Sequence, residues 1–340
     1  MNGETLKNFR ESLGMTQAQL AAWINEMTGR RYDKQRLSRW ETEKEKMPRE
    51  VLALLLYETM RRPASVKSTN AVITSFSNQK GGVGKTASSV NTAYILAKTG
   101  RRVLLVDADS QGNATTHCGF TTEQMVSLTQ SEKTHYHALM GKTAVEWAIA
   151  PTGIEGLDIL PSSVSLAMAE RELYAVSAGA DYYLRDMLQA VQERYDHIII
   201  DCPPHLGRMT TNALAASQLV VIPCQTEPLS LMGLEMLYDT ILMIKKRVNP
   251  RLQILGILPT LHRASTTQNK SSMEDLLALW GQTLAIFPPV PHSVVYPQAV
   301  GALTITLDYD KGAPGMEAMA EVARAMSAHE TVSAKEVENA

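Results

Sequence analysis

Cysteine is scarce in this chain of 340 residues: only Cys118, Cys202 and Cys224 occur, with no C-x-x-C spacing and no neighbouring histidine cluster. That excludes a disulfide scaffold and a structural zinc site. Long apolar runs are also missing. No stretch approaches the roughly 18 to 20 apolar residues needed to span a bilayer, and the opening "MNGETLKNFRES" lacks the apolar core of a signal peptide. The C-terminal stretch from "GMEAMAEVARAMSAHE" to "KEVENA" has one arginine, Arg324, and finishes acidic, which argues against a basic amphipathic membrane helix. The expectation is a cytoplasmic protein that does not act at a membrane.

Charge is nearly balanced at −2, but unevenly distributed. Residues 1 to 62 carry 12 Lys and Arg against 9 Asp and Glu, leaving 21 against 26 for the rest. A basic head on an acidic body is compatible with nucleic acid as a partner of the head.

Residues 1–60 read as short helices broken at Gly14 and Gly29, and "RRPASVKSTN", residues 61–70, has the polar, proline-containing character of a linker. From Ala71 onward short β-rich runs alternate with helical patterns: "AVITSFS", "VLLVD" at Val103, "LDIL" at Leu157, "HIIID" at His197, "LVVIP" at Leu219 and "LQILGILP" at Leu252. That alternation predicts an α/β fold, a mostly parallel sheet with helices on both faces, over residues 71–328. "TQSEKTHYHALMGK" from Thr129 reads as loop plus part of a helix, and residues 329–340 as a polar, frayed tail.

The stretch "SNQKGGVGKTASS" from Ser77 lies between the first strand and a helical pattern. Backbone N–H groups at glycines can wrap phosphates at a helix N-terminus, a lysine can neutralise their oxygens and a hydroxyl can bind Mg²⁺. Gly81, Gly82 and Gly84 would form the cradle, with Val83 and Ala87 beside it, Lys85 the phosphate contact and Thr86 the magnesium ligand. The strict pattern wants glycine six residues before the lysine; Gln79 stands there instead. Two more motifs end apolar strands: "VLLVDADSQGNATT", with Asp107 and Asp109, and "HIIIDCPPHLG", with Asp201. Carboxylates at that edge of a parallel sheet can hold a magnesium water shell or orient an attacking water.

Together "KGGVGKT", "VDADSQGNAT" and "IIIDCPPHLG" resemble the deviant Walker A, Walker A′ and Walker B motifs of the ParA/MinD ATPases, and "QKGG" and "SQGNAT" favour the ParA/Soj branch. The resemblance implies an ATPase using ATP and Mg²⁺, an ATP-dependent homodimer, DNA binding and a ParB-like partner that stimulates hydrolysis. Carried over by motif, Lys80 is the signature lysine that reaches the nucleotide of the other subunit. Lys85 and Thr86 serve the phosphates and magnesium, Asp109 helps activate the water, and Asp107 and Asp201 lie near the metal. The chain departs from the pattern at Ala87, where many relatives have threonine, and at Ser110, where proline is common. In "PHSVVYPQAV", His292 and Val295 replace arginines used for DNA contact in Soj-type relatives, whereas Arg263 in "LHRAS" is retained.

In the head, "LGMTQAQLAAWI" and "YDKQRLSRWETEKEKMP" resemble the Cro/repressor-type helix-turn-helix, with "NEMTGRRY" as an apparent insertion. The resemblance implies that Lys34, Gln35 and Arg36 face base edges, Arg39 lies near the DNA backbone and Gln17 meets a phosphate. Leu37 and Trp40 read as core anchors. Partition of DNA is the function these resemblances favour. An ATP-switched transcription regulator, or a positioner of a non-DNA cargo, would use the same parts.

Overall fold

The computed structural model of the chain describes residues 3–60 and 70–338. The expected linker, Asn70 apart, lies outside the described residues.

Four helices make the head: α1 (Gly3–Ser12), α2 (Gln17–Thr28), α3 (Lys34–Glu41) and α4 (Arg49–Met60). A capping box between Thr16 and Gln19 starts α2, and Gly29 ends it in the left-handed region, φ 68°. The segment that looked inserted is thus absorbed largely by a longer α2. Asp33 then caps α3, its carboxylate accepting from the Arg36 N–H at 2.8 Å. Leu37 and Trp40 are buried beside Leu6, Leu20, Ile24, Val51 and Leu55, as their spacing predicts. Arg10 and Gln17 both donate to Glu41, tying the ends of three helices together.

Seven strands form one sheet in the order β3-β4-β2-β5-β1-β6-β7. They are β1 (Val72–Phe76), β2 (Val103–Asp107), β3 (Ala150–Pro151), β4 (Leu157–Leu160), β5 (His197–Asp201), β6 (Leu219–Gln225) and β7 (Gln253–Thr260). All neighbours are parallel except β3 and β4. Every residue of β1, β2 and β5 is buried, as central strands covered on both faces require. Alternation sorts them: Val103 and Leu105 of β2 pack toward α5 (Lys85–Lys98) and the C-terminal helix Met316–Glu338, while Leu104 and Val106 pack toward the helices of the opposite face. Each such fully buried aliphatic contributes about 1.5–3 kcal/mol relative to exposure.

The C-terminal helix continues through residues expected to fray. Glu330 accepts from Arg101 Nε at 2.8 Å and pairs with His197 Nε2 at 2.6 Å, which ties the helix to the sheet just past residue 328; the helix is described to Glu338. Helix α4 has two apolar faces. Val51 and Leu55 belong to the head core, whereas Leu56, 2% exposed, belongs to the core beneath the C-terminal helix, with Leu52 packed against it.

Candidate nucleotide site

Three strand ends converge. Phe76, Asp201 and Asp107 are register partners on β1, β5 and β2, so the loop after β1 and both aspartates emerge together at the C-terminal edge of the sheet. In open parallel sheets this edge is where ligands bind.

The loop after β1 is pinned by Asn78, whose side chain donates to the Pro223 carbonyl at 2.7 Å and accepts from the Lys80 N–H at 3.0 Å. Gly82 and Gly84 have φ of 73° and 78°, backbone that side-chain-bearing residues rarely adopt. Gly84 precedes α5 without any side-chain cap, which leaves the first N–H groups of that helix to an anion. Lys85 is buried and its Nζ donates to the Lys80 carbonyl at 3.0 Å. Burial lowers its pKa, while Asp201 and Asp109 pull the other way.

The two register-paired aspartates differ. Asp107 has both oxygens occupied: Oδ2 accepts from the Thr115 N–H and hydroxyl at 2.8 and 2.7 Å, and Oδ1 from the Asp109 N–H at 3.2 Å. Asp107, expected near the metal, therefore shapes the loop that carries Asp109. Asp201 is fully buried and neither oxygen is hydrogen-bonded, although the Thr86 and Ser89 hydroxyls lie near enough to hold its pKa down somewhat. Burial pushes Asp107 up to about 8 and Asp201 up to about 6, and each carboxylate sits among other acidic groups.

A cavity of about 560 Å³ opens here, lined among others by Gly81, Gly82, Gly84, Lys85, Thr86, Ala87 and Asp109 on one side and by His117, Thr260, Tyr296, Pro297 and Met319. The donor set fits ATP with Mg²⁺. An uncapped helix start, a buried lysine and the Thr86 hydroxyl suit the phosphates, and the Asp201 carboxylate, behind the wall but close to Thr86, suits a hydrated divalent cation. Val83 is not on the wall; its carbonyl accepts from the Thr260 hydroxyl at 2.8 Å and fixes the loop against β7.

A family model described as an AAA domain matches residues 71–254. Over 257 residues, 76% of its length, the chain is 37% identical to the sporulation initiation inhibitor protein Soj of Bacillus subtilis, of which it covers 98%. The chain belongs to the ParA/Soj family of P-loop ATPases. It is also 35% identical over 260 residues to the chromosome partitioning protein ParA of Caulobacter vibrioides, covering 76% of this chain and 94% of that one. Among solved structures, cobyrinic acid a,c-diamide synthase from Mycobacterium smegmatis, with bound ADP and magnesium, is 33% identical with a TM-score of 0.60, covering 69% and 91%. A complex of a Cyanothece McdA variant with ATP, 21% identical with a TM-score of 0.67 over 76% and 96%, shares the fold.

In this ParA/Soj-family domain Lys80 does not line the cavity. Its Nζ donates to the Ser230 hydroxyl at 2.8 Å and to Gln225 Oε1 and Glu227 Oε2 at 3.3 and 3.4 Å, where β6 ends and the helix Pro228–Arg247 begins. Asp109 does line it, with its Oδ1 accepting from the Gln111 N–H at 3.0 Å. Arg263 is exposed on the segment after β7 and has no part in the cavity wall.

Lys34, Gln35, Arg36 and Arg39 are all exposed on α3. Arg36 lies over the Tyr32 ring and pairs with Glu45 at 2.8 Å, and Arg39 approaches the same carboxylate at 3.6 Å. Gln17, expected at a phosphate, instead donates to Glu41 at 2.8 Å, because Glu41 already anchors Arg10 there. Sequence reasoning missed Thr260 and Met319, which carry no motif, and Tyr296 and Pro297, whose segment "PHSVVYPQAV" was read for DNA contact rather than for the cavity. Only the strand-end position of Thr260 hinted at a role.

Proposed function

We propose that this chain is a ParA-type partition ATPase that binds ATP with Mg²⁺, dimerises on ATP, holds DNA and lets go when a ParB-like partner stimulates hydrolysis. The observation that carries this reading is Lys80. A lysine next to a phosphate-binding loop, yet held outside that loop's own cavity by Ser230, Gln225 and Glu227 and still 38% exposed, is placed to leave a weak surface pair for a phosphate on a second copy of the chain. The matched proteins named for chromosome partitioning and sporulation control support the same reading.

On this reading the α5 N-terminus and Lys85 bind the phosphates, and the Thr86 hydroxyl and Asp201 would hold the cation. Mg²⁺ supplies charge neutralisation of the phosphate oxygens. Asp109, on the cavity wall with one oxygen tied to Gln111, orients the attacking water with the other. Asp107 keeps the Asp109 loop in place through Thr115. Phosphoryl transfer depends mainly on positioning and charge, which is what these groups provide.

Lys80→Ala tests the reading. ATP affinity by calorimetry should stay within about twofold of wild type, since the free chain loses only partly exposed contacts outside the cavity, while ATP-dependent association in the ultracentrifuge disappears. A variant that dimerises normally would make Lys80 an ordinary loop lysine. A second reading, an ATP-switched transcription regulator, is favoured by the exposed Lys34, Gln35 and Arg36 on α3. Operator footprinting that changes with ATP, in the absence of any stimulating partner, would select it.

A further inference from the structure

His117 ends the helix Asn113–His117 that follows the Asp109 loop, and it lines the nucleotide cavity. It is only 8% exposed, and its Nδ1 is shut off from solvent without a hydrogen-bond partner. A neutral imidazole offers one N–H and one lone pair, and leaving a buried polar group unsatisfied is unfavourable. With Nδ1 sealed off, Nε2 is the ring nitrogen that can meet a group entering the cavity that His117 lines.

Position selects the part of the ligand. The phosphates are claimed by the start of α5 and by Lys85. The helix bearing His117 packs instead against the helix Val295–Gly301, whose Tyr296 and Pro297 share the cavity wall with His117 and offer flat, largely apolar surface suited to a nucleobase. Burial also pushes His117 down to about 4, so the ring is neutral at pH 7 and is a poor counter-charge for phosphate.

We propose that His117 is a specificity residue for the nucleoside half of the bound nucleotide, hydrogen-bonding it through Nε2, the ring nitrogen that is not shut off. This rests on the reading of the cavity as an ATP site and adds a residue that none of the three phosphate and metal motifs contributes.

The experiment compares MgATP with Mg-tripolyphosphate, which has the phosphates and no nucleoside, on the full chain by calorimetry. His117→Phe, which keeps a planar ring and removes the hydrogen bond, should weaken ATP about tenfold and leave tripolyphosphate unchanged, while His117→Gln recovers part of the loss. Using 2′-deoxy-ATP assigns the contact: a wild-type loss that the Phe variant does not deepen points to the ribose, and an undiminished Phe effect points to the base. Equal weakening of ATP and tripolyphosphate would mean that His117 only supports the phosphate loop, and unchanged binding of both would mean packing alone; either overturns the proposal. A wild-type chain that binds neither ligand removes the nucleotide site itself, whereas one that binds both while His117→Phe is silent removes only His117.

Discussion

Asp107 and Asp201 are register partners at the ends of β2 and β5, and only Asp107 has its oxygens hydrogen-bonded. Two carboxylates that differ by one strand have therefore taken different work. One holds the neighbouring loop; the other is bare in a buried site, where a carboxylate without a partner is unfavourable.

Substitution separates the two. Asp201→Asn should raise the melting temperature of the nucleotide-free protein above pH 7, because it removes a buried charge whose pKa is pushed up to about 6, and should abolish the Mg²⁺ dependence of ATP binding. Asp107→Asn should lower stability by about 1–3 kcal/mol, since an amide oxygen cannot replace both acceptors facing Thr115 and Asp109. Thermal unfolding with and without MgATP checks both. A destabilised Asp201→Asn would contradict the assignment.

Asp109→Ala should bind ATP normally and lose turnover by about 10²-fold or more, the range for a group that positions or activates the attacking water. Phosphate release at the wild-type rate would remove Asp109 from the reaction.

Protonation of His135 should weaken the loop that carries these groups, against the opposite contribution of Asp107, whose raised pKa favours the folded state as pH falls. His135 is fully buried, its Nδ1 is 2.8 Å from the Asp107 carbonyl, and burial pushes it down to about 4. Its folded pKa lies below its ordinary 6.5, so this stability is fully present above pH 6.5. As pH falls from about 6.5 to about 4 the unfolded chain takes up a proton that the native state refuses. That loss amounts to about 3 kcal/mol by pH ~4. His135→Asn should flatten the stability profile in this window, measured by urea unfolding at a series of pH values; an unchanged slope would count against it.

On the DNA reading of the head, replacing Lys34 and Arg36 by Ala should remove sequence-specific binding and leave ATPase activity intact. Glu45→Gln should do the reverse, strengthening DNA binding several-fold, because Glu45 now occupies Arg36 and Arg39. Footprinting that neither change alters would make α3 a solvated face.

Much of this was legible because it is local. Strands such as "HIIID" have an apolar centre, which burial between two helical layers demands, and the phosphate loop had to lie where a strand meets a helix. The aspartates could be placed at the sheet edge from the strand ends alone. What sequence could not divide was their labour, since the Thr115 contacts that claim Asp107 depend on how the next turn folds back. The partner of Gln17 in the free chain was hidden for a related reason: Glu41, 24 residues away, reaches it only after α1, α2 and α3 have packed. Two-residue β3 lay below any periodic signal, and the cavity wall at Tyr296 and Met319 is assembled from segments that pattern does not link.

The two-faced α4 bears on how the molecule comes apart. With Val51 and Leu55 locked into the head and Leu56 into the body, neither core can open without uncovering part of the other. The described helices of the head and the sheet should therefore melt in a single transition, and Leu56→Glu should depress that transition for the whole chain. A chain shortened to residues 70–340 would bare apolar surface on its C-terminal helix and gain stickiness unrelated to DNA. Point changes on α3 are the cleaner instrument for reading what the head contributes.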